Sequence, residues 1–310
     1  MVSVKISPAG KPLSLARGLP VTVEVKNNAK VSDLKAAIAT KFPKLYVSRQ
    51  RLVLKGERKS LDDDTLLKDA GVNDASELFV KDLGAQISWR TVFVVEYIGP
   101  LILHTIFYWF PQVFYGQPVQ HSEVQKFAYA LVMLHFLKRE LETLFIHRFS
   151  HGTMPFVYIF RNSAHYHILA GLFLAIDLYR PGYSATSPSI KGTIYENTTF
   201  LWGCVAAWLF AEYSNFLTHL NLRSLRPEGG RKRAIPYGYG FDWVSLPNYY
   251  FEILGWAWFT VMTGSWASIL FFIVGSGTMA NWAVQKHRKY KKEFGSDYPR
   301  NRKIMIPLIF

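Results

Sequence analysis

Residues 91–110 read TVFVVEYIGPLILHTIFYWF. A stretch of this length whose one carboxylate is Glu96 suffices for a helix to cross a bilayer, which takes roughly 20 residues. The sequence changes character around it. Upstream lies soluble-type sequence rich in Lys and Asp; downstream, long apolar runs carry many Phe, Trp and Tyr. Half of the 310 residues are hydrophobic and 16% are aromatic, a heavy load for a soluble chain. The shift falls near residues 82–88. It predicts a soluble head over 1–82 and a membrane part over 83–310.

Within the head, Val2–Ile6 and Val21–Val25 alternate apolar and polar, as strands do, with a turn at Gly18 to Pro20. Residues 31–42 place apolar side chains at helical spacing, with Ser32 or Asp33 as N-cap and Pro43 as the stop. Two further strands follow at 51–55 and 77–81, separated by a loop and a short helical turn at 61–71. The order strand, strand, helix, strand, short helix, strand resembles the ubiquitin-like β-grasp over residues 1–82. Because Gly84 runs on into the membrane part, conjugation through a free terminus is excluded. The first residues lack the apolar core of a signal peptide. Insertion then rests on the first span, leaving the head in the cytosol.

Further candidate spans are 124–146, 168–179 with its flanks, 198–220 and 249–283, the last broken near Gly264. The expected fold class is therefore α+β: a ubiquitin-like β-grasp domain followed by an all-α multi-spanning membrane bundle of about six to seven helices. The net charge of +14 fits cytoplasmic loops enriched in Lys and Arg, or a phosphate-rich ligand. No nucleic-acid motif appears, and the basic residues are interleaved with spans. The single cysteine, Cys204, excludes a disulfide framework.

Ionisable groups at membrane depth are costly and tend to face a polar cavity. Glu96 precedes a Gly99-Pro100 break. His135, Lys138, Arg139 and Glu142 fall at i, i+3, i+4 and i+7, on one helical face. Asn215, His219, Arg223 and Arg226 form a second row, whose two arginines suit a phosphate. Pro247 starts a helix on which Asn248 and Glu252 share a face, with Tyr249 beside them. The tail interleaves His287, Tyr290, Tyr298 and Arg302 with Lys and Arg, then ends in an apolar run, which reads as a folded lid. Gly-x-Gly-x-x-Gly after a strand is absent, so no Rossmann site is supported. His147 and His151 stand at i, i+4 with His165 and His167 nearby, but the repeated histidine pairs of a metal box are missing. No metal is expected.

Asn215, His219, Arg223 and Arg226, then Pro247, Asn248, Tyr249 and Glu252, then His287, Tyr290, Tyr298 and Arg302, together resemble the steroid 5α-reductase family. The ubiquitin-like head, the Glu96 segment and the Lys138–Ser150 block narrow the resemblance to very-long-chain trans-2-enoyl-CoA reductases of the endoplasmic reticulum. It spans essentially the whole chain. It implies NADPH as cofactor, contacted by Lys138, Arg139, Asn215, His219, Arg223, Arg226, Asn248, Glu252, His287, Tyr290 and Arg302. It implies Glu96 and Tyr249 as the residues needed for reduction. It further implies a very-long-chain enoyl-CoA substrate, lipid around the bundle, other elongation enzymes as partners, and a multi-pass endoplasmic reticulum location. One departure is Phe136, where the family often has Tyr. A steroid or polyprenol enone on the same fold, a membrane methyltransferase, and a membrane-anchored ubiquitin-like adaptor are the rival readings.

Overall fold

The computed structural model describes residues 1–149, 152–226 and 234–310. The chain divides into two compact units, Met1–Trp89 with His151–Tyr158 and Arg90–Ser150 with Ile159–Phe310.

In the first unit, β1 (Val2–Pro8), β2 (Val21–Val25), α1 (Val31–Lys41), β3 (Gln50–Leu54) and β4 (Glu77–Asp82) follow in order. The sheet order is β2-β1-β4-β3. The pair β1–β4 is parallel, and the two hairpin-type pairs are antiparallel. Strand alternation puts Val4, Ile6, Val23, Leu52, Leu78 and Val80 on one face, where Val31, Leu34 and Ile38 of α1 cover them. This is the β-grasp layout that the alternation predicts. Two local readings are corrected. The N-cap of α1 is Lys30, whose extended backbone N–H is held by Asp33 Oδ2 at 2.8 Å. Asp33 thus serves from inside the first turn, where a carboxylate also meets the positive end of the helix dipole. Residues 61–71 form a loop and turns, as that segment reads, without the short helix of the expected element order. A two-stranded ribbon, β5 (Gln86–Ser88) with β6 (Thr153–Pro155), completes this unit and has no periodic signature in the sequence.

The second unit is helical: α2 (Trp89–Trp109), α3 (Pro111–Tyr115), α4 (Glu123–Phe145), α5 (Tyr158–Ala164), a π-helical segment (His165–Phe173), α6 (Leu174–Leu178), α7 (Thr198–Ser224), α8 (Pro247–Thr263) and α9 (Trp266–Phe294). Helices occupy the segments expected as spans, the 168–179 segment as the end of the π-helical stretch and the short α6. The break between α8 and α9 falls at Gly264, whose φ of +57° is left-handed and favours glycine. By length and composition, Trp89–Trp109 and Trp266–Asp297 are apolar enough to cross a membrane. The core is built of Tyr97, Phe136, Leu174, Trp208, Trp256, Phe259 and neighbours. At Gly99 the π-helical segment comes so close that a Cβ there would collide with the ring of His167.

Candidate active site

α4 begins at Ser122, whose Oγ accepts the Gln125 N–H at 3.4 Å. That register turns His135, Lys138, Arg139 and Glu142 inward together. The facing row on α7 is Glu212, Asn215 and His219, also at helical spacing. Lys138 Nζ donates to Glu212 Oε2 at 3.0 Å and to Asn215 Oδ1 at 2.6 Å. His135 bridges two carboxylates, with Nδ1 2.8 Å from Glu212 Oε1 and Nε2 3.3 Å from Glu252 Oε1 on α8. Asn215 Nδ2 donates to the Asn248 carbonyl at 2.9 Å and to Glu252 Oε2 at 3.3 Å. Arg139 donates to Glu142 Oε2 at 2.7 Å, and His219 Nδ1 lies 3.0 Å from Glu142 Oε1. Three carboxylates thus face two permanent cations and two imidazoles inside one helical seam. Each desolvated charge is held by a partner, the condition under which burial is tolerated.

On α2, Glu96 and Tyr97 are both buried. Arg139 donates to the Tyr97 hydroxyl at 3.0 Å and its guanidinium lies 5.2 Å from the Tyr97 ring. Glu96 pairs with the Asn162 side chain, while its Oε1 is buried without a hydrogen-bond partner. An orphan carboxylate oxygen in an interior is expensive, and a native site that keeps one calls for a function.

A third group gathers the tail. Ser245 Oγ lies 2.6 Å from both His287 Nδ1 and the Tyr298 hydroxyl. Tyr290 stacks on Tyr298 with centroids 5.7 Å apart. Arg302 is buried, donates to the Pro236 carbonyl at 2.9 Å, and packs against the rings of Tyr237 and Tyr298. Its Nε has no partner. Tyr249 joins this side: Lys286 Nζ donates to its hydroxyl at 2.7 Å. The expected lid is therefore a packed structure, held to the start of α8 by Ser245.

The structure brings Lys138, Arg139, Asn215, His219, Asn248 and Glu252 into one network, and His287, Tyr290 and Arg302 into another. Arg223 is exposed at the last turn of α7. Arg226 NH1 donates to the Arg148 carbonyl at 2.8 Å, and Arg148 returns a bond to the Arg226 carbonyl. The α7 row thus runs from the buried seam out to its rim. No hydrogen bond or ion pair links Glu96 to Tyr249 among the described residues. His135 and Glu142, expected on one face of α4, are members of the seam, and Glu212 extends the Asn215 row three residues toward the start of α7. Tyr97, Tyr166 and Ser245 carry no such mark. Glu142, His147 and His219 place ligand atoms within 4.8 Å of one another. Arg139 already donates to that carboxylate and approaches His219 Nδ1 at 3.5 Å, which puts a fixed positive charge where a cation would sit. We assign no metal there. His151 lies outside the described residues.

Comparison with known proteins shows the family. Residues 152–310 match the family model for 3-oxo-5-alpha-steroid 4-dehydrogenase, and residues 19–82 match the ubiquitin-like domain of TECR. A putative enoyl reductase of Schizosaccharomyces pombe is 44% identical over 99% of both chains. The chain belongs to the very-long-chain enoyl-CoA reductase family. Two other members are a very-long-chain enoyl-CoA reductase of Dictyostelium discoideum, 39% identical over 90% of this chain and 91% of that one, and a probable one of Caenorhabditis elegans, 37% identical over 94% and 95%. Within this reductase family the steroid-dehydrogenase match holds α7, α8, α9 and the tail, while the α2 and α4 residues of the seam lie in the part that only the full-length relatives cover.

Proposed function

We propose that this chain reduces the trans-2 double bond of a very-long-chain enoyl-CoA to the saturated acyl-CoA, using NADPH, as the last step of fatty acid elongation. The observation that carries this reading is the buried polar seam of α4, α7 and α8 in a chain whose relatives are enoyl-CoA reductases from end to end. We place the chain in the endoplasmic reticulum membrane as a multi-pass protein. Its head then lies in the cytosol, among other elongation enzymes. The apolar helices α2 and α9 support membrane residence.

Unsatisfied buried groups fit a nucleotide. Arg302 Nε offers an unpaired N–H and Asn248 Oδ1 an unpaired acceptor. The Tyr290–Tyr298 stack offers a flat aromatic surface, and Arg226 and Arg223 stand at the rim of the seam for phosphates. Lys138, Arg139, Asn215, His219, Asn248, Glu252, His287, Tyr290 and Arg302 would hold the cofactor. When bound, NADPH supplies the hydride that the electrophilic β carbon of the enoyl thioester accepts.

As that carbon is reduced, negative charge grows on the thioester oxygen, and a fixed donor there lowers the barrier. Tyr249 is proposed as such a donor and as the source of the proton that the α carbon then takes: Lys286 fills one lone pair of its oxygen, which leaves the hydroxyl proton free to point outward. Glu96 is proposed to position the donor by accepting at its unpaired Oε1, or the carbonyl by donating from that oxygen when the carboxyl is protonated.

The steroid-dehydrogenase match favours one second reading, a steroid or polyprenol enone on the same fold. Purified protein given NADPH or NADH with a long-chain trans-2-enoyl-CoA or a steroid enone decides both questions. Fast NADPH consumption with the enoyl-CoA alone supports the proposal. Consumption with the steroid alone replaces the substrate, and consumption with neither removes the reductase reading.

A further inference from the structure

Three phenols bear on the proposed site, two of them by the buried carboxylates and one on the tail side, and they differ in what their hydroxyls already do. Tyr97 is 2% exposed and its oxygen takes a bond from Arg139. Tyr249 is engaged by Lys286 on the tail side. Tyr166, in the π-helical segment, has no hydrogen-bond partner among the described residues, yet its side chain keeps accessible surface. Tyr97, Glu96, Arg139 and Glu252 are the groups within electrostatic reach of its hydroxyl.

The ring of Tyr166 is fixed in place. It meets Tyr97 edge-on with centroids 5.1 Å apart, and Phe136 edge-on at 6.3 Å. Its neighbour His167 is anchored by a 2.7 Å contact from Nε2 to the Val95 carbonyl, one residue before Glu96. A π-helical turn re-aims side chains relative to an α-helix, and such turns recur at functional sites. Here the nine π-helical residues bring the phenol against α2 and α4. A fixed, half-buried, unengaged O–H beside a carboxylate with an unpaired oxygen is a preorganised donor without an acceptor.

We infer that Tyr166 is a further catalytic residue, the hydrogen-bond donor to the substrate's thioester oxygen on the Glu96 side of the site. This rests on the enoyl-CoA reading of the same pocket. The polar atom it accepts into its reach is a carbonyl oxygen that gains charge as the neighbouring double bond is reduced; the donor's worth rises with that charge. The proton remains on Tyr166 in this role, and no bond to it breaks.

The test compares wild type with Tyr166→Phe in detergent. Readouts are kcat and KM for a trans-2-enoyl-CoA, NADPH Kd by fluorescence, and the infrared stretch of a 13C-labelled thioester carbonyl bound with NADP+. Losing one such donor lowers kcat on the order of 10²-fold. The expected result is that loss with NADPH Kd within about twofold, since the ring is kept, and a carbonyl stretch that moves to higher frequency in the variant. A variant with near wild-type kcat, or an unchanged carbonyl frequency, overturns the assignment. A wild-type enzyme that consumes no NADPH with enoyl-CoA fails before position 166 is considered, and that failure belongs to the enoyl-CoA reading.

Discussion

Lys286 holds the phenol of Tyr249 in two ways: its Nζ donates to the hydroxyl at 2.7 Å and lies 4.8 Å from the ring centroid. The contact joins α9 to the first turn of α8. It spends a lone pair of the phenol and leaves its proton available. Tyr249→Phe should lower kcat on the order of 10²-fold, the cost of removing a transition-state donor. NADPH binding should change little, because the ring still packs against the tail. Lys286→Met should give a smaller loss, since the phenol keeps its proton. NADPH oxidation by the three purified proteins checks this; near-normal turnover of Tyr249→Phe removes it from the reaction.

Glu142 is the keystone of the α4 end of the seam, because Arg139, His219 and Lys138 all lie within 3.5 Å of its oxygens. Glu142→Gln leaves those charges short of a counter-charge in a buried setting. Breaking a buried pair from one side costs about 3–5 kcal/mol. Thermal unfolding in detergent should show a drop of several degrees. Arg223→Ala, at an exposed position of α7, should leave the midpoint unchanged in the same assay.

Much of this was legible before the structure. The head's strands follow from alternation, and the long helices from runs of apolar residues with polar stripes. The α8–α9 break follows from a glycine that a left-handed turn requires. The rows on α4 and α7 are visible because helical spacing is local. Their pairing is not. Lys138 meets Asn215 across 77 residues, and Ser245 meets Tyr298 across 53, and nothing periodic encodes such distances. Tyr97 and Tyr166 read like interfacial aromatics until their partners are known. The π-helical segment escapes notice because it matches neither a 3.6-residue nor a 2-residue period. The N-cap of α1 lies one turn from where composition points: Asp33 does cap, but from the third helical residue, with Lys30 as the N-cap itself.

Arg226 tests whether the α7 row serves a ligand or only membrane topology. Its NH1 closes onto the Arg148 carbonyl at 2.8 Å, which ties the rim of α7 to the chain following α4. Arg226→Ala should raise the NADPH concentration needed for half-maximal rate about tenfold, the scale of one charge-assisted contact to phosphate. The kcat at saturation should stay within about twofold. An unchanged cofactor dependence makes the row a topological flank.

Glycine substitutions separate close packing from open surface. A Cβ at Gly99 would strike the His167 ring, while Gly275 and Gly277 on α9 have nothing within 4 Å. Gly99→Ala must push His167 from the Val95 carbonyl and carry Tyr166 with it. Overpacking of this kind costs about 1–3 kcal/mol. Both stability and turnover should fall. Gly275→Ala or Gly277→Ala should instead stabilise by about 0.5–1 kcal/mol, the helix preference for alanine over glycine. Melting curves with activity on the same samples distinguish these outcomes.

The head carries its own pH response. Arg49 Nε donates to Asp82 Oδ1 at 2.5 Å and NH2 to Oδ2 at 2.8 Å. This forked pair, with the Gly84 N–H also donating to the carboxylate, holds the Asp82 carboxyl below the usual range. A carboxylate whose folded value is depressed adds stability at pH values above its unfolded value of about 4. That contribution is lost as pH falls through the folded value. Hydrogen exchange on the full chain should therefore show β3 and β4 opening more readily as pH drops below about 4, after correction for intrinsic rates. Asp82→Asn should open more at neutral pH and lose most of that acid dependence. If wild type and Asp82→Asn respond identically to acid, the Arg49 pair contributes nothing to holding the edge of the sheet.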